Sequence, residues 1–394
     1  YSLQLVDMLI MIILSLTNLS IQARDVSFDK QGDKSLITIA EELKHGRRWV
    51  NREIQKLDPD TDYSVIMSMI AQYQMDEFTL NFLVTILTSY VVKPAHMGET
   101  LVLTNKALRR PNQRMQDALD FFWTWYATGP DSTETIESVN RLNKLHLGVA
   151  RRLPGHFENS EDFIYVLGRL VVLQDRLLKK LGLNGMDQHI KLAQFNFAKA
   201  LSKHFRREGD LKLEGFPENL EDLEKFVDRW EAKNHVYSPV LTDLVLALIY
   251  AFGERWFPRP FHGLGRWIGI YSLEDGFLKH VRIAPLTGVR RLVTHLLLKT
   301  LFLFKTKFAA DSKISAYANR ETLTTNELKE MDKTAVKRVS DLGWTKGGRE
   351  AMGLGEKASL ANGCPIMNHS APEEFYPDEI KGNKGKTYRE KFSD

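Results

Sequence analysis

The sequence predicts an all-α fold, and three observations carry that prediction. From about residue 60 to about residue 308, apolar residues return every three or four positions between Gly and Pro breaks, the period of helix faces packed on a core. Helix-start signals of the Asn, Ser and Asp type stand before several of these runs. No run of alternating β-branched residues is long enough to make a sheet.

Residues 1–24 are mostly apolar, and the run at 8–16 is long enough for the hydrophobic region of a signal peptide. Tyr1 stands first, so the natural start is expected upstream, and a longer stretch would serve as an anchor, since spanning takes about 20 residues. Asp7, Asn18 and Gln22 weigh against a deep span, and Ala23 suits a cleavage site. A truncated anchor and a signal peptide both direct the chain into the secretory pathway; a buried amphipathic helix is the third option. Asn18 and Asn368 each open an Asn-X-Ser triplet, a short glycosylation pattern. Residues 25–49 read as a polar linker.

Residues 50–310 form the expected helical domain. A helix opens after Asp131, with Glu134 three residues on, carries Ile136, Val139, Leu142, Leu145, Val149 and Leu153 on one stripe, and stops at Pro154-Gly155. The next runs from an Asn159/Ser160 cap through Phe163, Leu167, Leu170, Val171, Leu177 and Leu178 to Gly182. Further helices are expected at about 187–207, 220–235 and 240–256, the second of these capped by Asn219. The segments 241–252 and 292–304 are strongly apolar but shorter than a membrane crossing, which makes them core or interfacial helices. Residues 311–394 read as an irregular extension wrapped around the domain. Its Gly-rich stretches at 347–355 and 382–387 lack the strand and the spacing of a phosphate loop.

Composition excludes several functions. With 54 Lys and Arg against 50 Asp and Glu, the net charge of +4 is too small for a nucleic-acid-binding chain of 394 residues. The single cysteine, Cys364, forms no internal disulfide and no Cys-rich metal site. A GxSxG elbow, a phosphate loop, a CxxC pair and a paired-histidine zinc motif are all missing.

What remains is His146, on the same helical stripe as Leu142, Leu145, Val149 and Leu153, so its ring should face the interior. Such an imidazole is either a core histidine bonded to a backbone carbonyl or an axial ligand to a haem iron, and periodicity alone favours the first. Arg141 and the pair Arg151/Arg152 flank it by about one and a half turns, and guanidinium forks suit carboxylates such as haem propionates. Upstream, the segment 109–122 opens another helix, with Arg114 and Asp117 three apart on one face. Solvated basic residues and an ordinary ion pair are the plain readings of these arginines.

An ordered set of segments carries a resemblance. They are Glu53-Ile-Gln-Lys-Leu-Asp-Pro-Asp-Thr-Asp-Tyr63, Arg114-Met-Gln-Asp117, Arg141-Leu-Asn-Lys-Leu-His146, Asp162-Phe-Ile-Tyr-Val-Leu-Gly168, the 221–234 helix ending Trp230-Glu-Ala-Lys-Asn, and Phe257-Pro-Arg-Pro-Phe-His-Gly-Leu-Gly-Arg266. In their order and spacing, over roughly two thirds of the chain, the sequence resembles the MpaB-type endoplasmic-reticulum-bound oxygenases and rubber oxygenases (latex-clearing proteins), the fungal MpaB-like branch in particular.

The resemblance implies a globin-like helical domain that binds haem b, with His146 as the iron ligand. It places a haem-pocket role on Arg114, which with Asp117, a candidate for positioning it, is the expected catalytic pair; His146 and Arg114 with the flanking Arg141 and Arg151 are the expected cofactor-binding set. A liganding histidine is expected to donate through its other ring nitrogen to a carbonyl or carboxylate. The implied partners are molecular oxygen and a lipophilic prenylated or polyisoprenoid substrate whose carbon–carbon double bond is cleaved or oxidised. Membrane association follows, at the endoplasmic reticulum or, after signal cleavage, with secretion; nucleic acid is no partner. Ala118 stands where the family often has threonine, and Ala150 where it often has arginine or glutamine. A catalytically inactive haem- or lipid-binding membrane-associated protein is therefore the alternative. A haem-free helical domain held at a membrane is a third reading.

Overall fold

The computed structural model describes residues 44–103, 106–320 and 322–342. The chain runs through α1 (Trp49–Ile54), α2 (Tyr63–Gln74), α3 (Glu77–Val91), α4 (Ala95–Leu103), α5 (Lys106–Arg109), α6 (Pro111–Thr128), α7 (Thr133–Ala150), α8 (Ser160–Lys180) and α9 (Gln188–Ser202). A two-residue antiparallel ribbon of β1 (Arg206–Arg207) and β2 (Leu211–Lys212) follows. Then come α10 (Leu220–Ala232), α11 (Pro239–Trp256), α12 (His262–Ser272), α13 (Asp275–His280), α14 (Gly288–Lys307) and α15 (Thr325–Leu342). The fold is all-α, as the apolar period implies.

Local chemistry sets five of the helix starts. Side chains of Asp76, Asn159, Asp187 and Asn219 each accept a backbone N–H from the first turn of α3, α8, α9 and α10. The cap of α7 is Ser132, one residue after the expected Asp131, with Ser132 Oγ accepting from Thr135 N at 3.1 Å. The helix expected to reach 207 ends at Ser202, because the chain turns through Lys203–Phe205 into the ribbon. Gly209, at φ +79°, makes the ribbon's turn possible.

The core is built around α11, whose Val240, Leu241, Leu244, Val245, Leu248, Ile249 and Phe252 are all buried. It packs on α3, α4, α5 and α12. Gly253 and Gly265 let α11 and α12 meet closely, since a Cβ on Gly265 would lie 2.6 Å from the Gly253 Cα. Among the described residues no helix is long and apolar enough to cross a membrane.

One buried charge cluster ties α8 to its neighbours. Arg169, 1% exposed, lies 3.1 Å from Glu231 and 2.8 Å from Glu274 and stacks 3.7 Å from the Tyr90 ring centroid. Burial alone would lower its pKa, yet Tyr90, Glu274 and Glu231 hold it above the ordinary guanidinium value. Tyr165 donates to Glu231 at 3.0 Å and stacks on Trp230.

The folded body extends past both boundaries expected at 50 and 310. Trp49 is fully buried and donates to Ser312 O at 3.0 Å, and Asp311 accepts from Val50 N at 2.8 Å. Arg320 then reaches into the body, pairing with Asp120 and, at 3.4 Å, with Glu77. Far from irregular, residues 325–342 form α15, which packs on α5 and α6. Its buried Asp332 accepts from Asn112 N (2.9 Å) and Gln113 N (3.3 Å), capping α6 from 220 residues away. The segment at 1–24, Cys364, both Asn-X-Ser triplets and the Gly-rich stretches lie outside the described residues.

Candidate functional site

α6 and α7 pack side by side and present His146, Arg114 and Asp117. Trp125 Nε1 donates to Ser138 Oγ at 3.1 Å, pinning the two helices together. Asn143, one turn before His146, holds α7 to the ribbon by donating to His204 O (2.9 Å) and accepting from Arg206 N (3.0 Å). Glu208 fixes the loop after α7: its N–H donates to Phe157 O, and its carboxylate accepts from Gly155 N, both at 2.8 Å.

That loop lays Phe157 on the imidazole. The rings of His146 and Phe157 stack at 4.6 Å and 22°, and Phe163 of α8 meets His146 edge-on at 5.9 Å. The apolar wall continues through Phe205 and Trp125, which lies beside Phe121. Burial, with the Arg114 charge adding to it, pushes the His146 pKa down to about 4, so the ring is neutral at pH 7.

Neither ring nitrogen of His146 bonds a carbonyl or carboxylate among the described residues. His146 Nδ1 is buried with no hydrogen-bond partner among the described residues, because phenylalanine rings line the imidazole. Other histidines differ: His189, His204, His235, His280 and His295 each place a ring nitrogen 2.7–3.1 Å from a carbonyl, carboxylate or hydroxyl. Close by in the chain, His156 is likewise engaged with Thr100 and His96 with Asp162.

Arg114 stands in the first turns of α6, which Pro111 opens at N1 and Asp332 caps. Burial lowers its pKa and Asp117 opposes that shift. Among the described residues Arg114 makes no ion pair, while Asp117 accepts from Gln113 Nε2 at 3.0 Å. Arg114 and His146 each keep part of their surface accessible although desolvation dominates both shifts.

Arg141 and Arg151 sit differently. Each is five residues from His146, about 140° around the helix, and so off its face. Arg141 is half-buried, and the Arg151 side chain is exposed at the end of α7. The structure brings Arg114 to His146 but does not bring these two to the same face. The phenylalanine wall escapes sequence reasoning, since Phe157 and Phe205 lie in loops with no period to reveal them.

Among the described residues no group of three or more His, Cys, Asp or Glu side chains could hold a metal ion. A metal at His146 would have to arrive with most of its ligands already supplied, as an iron porphyrin does. The residues present fit such a group: a neutral imidazole, a buried ring nitrogen free of protein bonds, an aromatic wall and a guanidinium. No protein-family model matches the chain, and no curated protein matches it either.

Proposed function

We propose that the chain is a haem b-dependent oxygenase with a globin-like helical domain, acting with molecular oxygen on a carbon–carbon double bond of a lipophilic prenyl or polyisoprenoid chain. The buried, unpartnered nitrogen of His146 carries this reading. Native interiors leave few polar atoms unbonded, and an unbonded nitrogen on a neutral imidazole beside a half-accessible arginine would suit a ligand to haem iron. When bound, haem would supply the activation of oxygen.

The protein's own groups then divide the work. Phe157 and Phe163 hold the imidazole plane and exclude water from it. Arg114 supplies a fixed positive charge, which counts for more where it is desolvated than in water. Asp117, one turn on, steadies that charge from the same helix. The aromatic wall offers an apolar substrate about 0.8 kcal/mol for each methylene it buries. An endoplasmic-reticulum membrane location belongs to the same proposal. The buried methyl of Ala118, one turn from Arg114, favours the second reading, haem or lipid binding without turnover.

The test is an absorption spectrum and a pyridine haemochrome assay on the full chain expressed with haem precursor. A Soret band with stoichiometric haem is expected, lost in His146→Ala while the helical circular dichroism persists. Arg114→Ala should keep haem and slow oxygen uptake with a prenylated substrate by about tenfold to a hundredfold. Full haem retention by His146→Ala removes the ligand assignment, and no haem after reconstitution removes the proposal.

A further inference from the structure

α14 has two apolar faces, and only one meets the protein. Thr294, Leu297, Leu298 and Phe302 are buried, whereas Val289, Leu292, Leu296, Phe304 and Phe308 are 75, 58, 52, 38 and 59% exposed. The four within the helix recur at spacings of three, four and eight residues and cover about 120° of its surface, a broad outward face about 22 Å long, and Phe308 follows just past its last residue. Large exposed hydrophobics elsewhere among the described residues are Leu211, Val236, Ile314 and Val336, no two of them on the same helix. Scattered apolar residues are ordinary on a surface; a continuous stripe is not.

The charge on the helix itself has one sign. α14 carries Arg290, Arg291, Lys299, Lys305 and Lys307 and no Asp or Glu. Arg290 and Arg291 follow Val289 at one end. At the other, exposed Lys307 precedes Phe308, whose carbonyl accepts from Arg47 Nη2 at 2.5 Å. Lys305 turns inward to Asp76, and Arg291 lies 3.6 Å from Asp275, while Arg290, Lys299 and Lys307 make no ion pair among the described residues. A second copy of α14 would bring like charges together, whereas a surface of anionic headgroups over an apolar interior complements both features. With Lys299 and Thr300 midway, the helix suits the plane of an interface and not a crossing.

We infer that α14 docks the protein in-plane on an anionic lipid bilayer, with Val289, Leu292, Leu296, Phe304 and Phe308 in the acyl boundary and the basic rim at the phosphates. The inference gives the proposed membrane association a surface, and its test reads neither haem nor turnover.

The experiment uses the full chain carrying Cys364→Ser and Leu296→Cys, labelled with a polarity-sensitive fluorophore, with Lys225→Cys on α10 as control. Phosphatidylcholine vesicles containing phosphatidylserine should shift the Leu296→Cys emission to the blue, and brominated acyl chains should quench it, with little change at the control. Partitioning should weaken about tenfold when phosphatidylserine is omitted and about tenfold or more when Leu292→Glu is added, with helical content unchanged. No response at position 296 overturns the inference even if the chain sediments with vesicles, because another segment then makes the contact. Emission already blue-shifted without lipid overturns it in favour of a cover from this chain, and a shift that grows with protein concentration alone points to a second copy.

Discussion

Arg169 and Arg114 are both enclosed by protein, and their surroundings push them in opposite directions. Arg169 has two glutamates within 3.1 Å and a tyrosine ring beneath it, and its pKa rises despite burial. Arg114 has only Asp117 acting on it, and its pKa falls. The first is an internal charge that two glutamates offset, although its Nε and Nη1 make no hydrogen bond among the described residues. The second is held at a cost, with part of its surface open, beside an imidazole whose Nδ1 bonds to nothing among the described residues. A charge paired by carboxylates belongs to architecture; one without such a pair, beside a neutral imidazole, is available to a ligand.

The largest effect that would break this comparison comes from removing each arginine in turn. Arg169→Met should cost about 3–5 kcal/mol, since it leaves Glu231 and Glu274 near one another without their cation. Arg114→Met in the haem-free chain should cost less than about 1 kcal/mol or stabilise it. Urea midpoints of the two variants decide the matter, and equal losses would erase the distinction.

An intermediate effect comes from pH. The folded His146 pKa of about 4 lies below its ordinary 6.5, so the unfolded chain binds the extra proton. The stability this residue contributes is complete above pH 6.5 and is lost as pH falls through 4, by about 3 kcal/mol. Thermal midpoints of the haem-free chain between pH 7 and pH 4 should therefore fall less steeply in His146→Phe than in the parent. Parallel curves would show that the ring gains its proton without resistance.

The smallest effect sharpens the comparison within α6. Asp332→Ala removes the carboxylate that receives Asn112 N and Gln113 N and should cost about 1 kcal/mol. Faster amide exchange at 112 and 113 is the direct readout. Unchanged exchange would mean that α6 holds its first turn, and Arg114 with it, unaided.

Legibility followed sequence distance. Asn159 and Asn219 announce their helices because a cap and the amide it receives lie two or three residues apart. The stripe through His146 was equally readable, and so was Arg114 as a helical residue. Glu231 and Glu274 lie 62 and 105 residues beyond Arg169, and nothing local to any of them foretells the cluster. Asp131 and Ser132 are both good caps side by side, which is why the reading fell one residue short. Leu292 and Leu296 share their composition with the buried Leu297 and Leu298, so the sequence marks α14 as apolar without saying which side faces inward. The unpartnered state of His146 Nδ1 is a property of its neighbours Phe157 and Phe163, and no motif records it.

The Asp332 cap and the Arg320 pairing also set an order of events during synthesis. Asp120 and Asn112 leave the ribosome 200 and 220 residues ahead of the groups that complete them. Until then α6 has an open first turn, and Asp120 must stay hydrated, which keeps its face of α6 from closing. The nascent chain therefore passes most of its elongation as a helical assembly waiting for its own distal segment, and closure of such long-range contacts is the slow, aggregation-exposed stage of folding. A chaperone that shields α6 until residue 332 emerges would act at the point where this protein is most exposed.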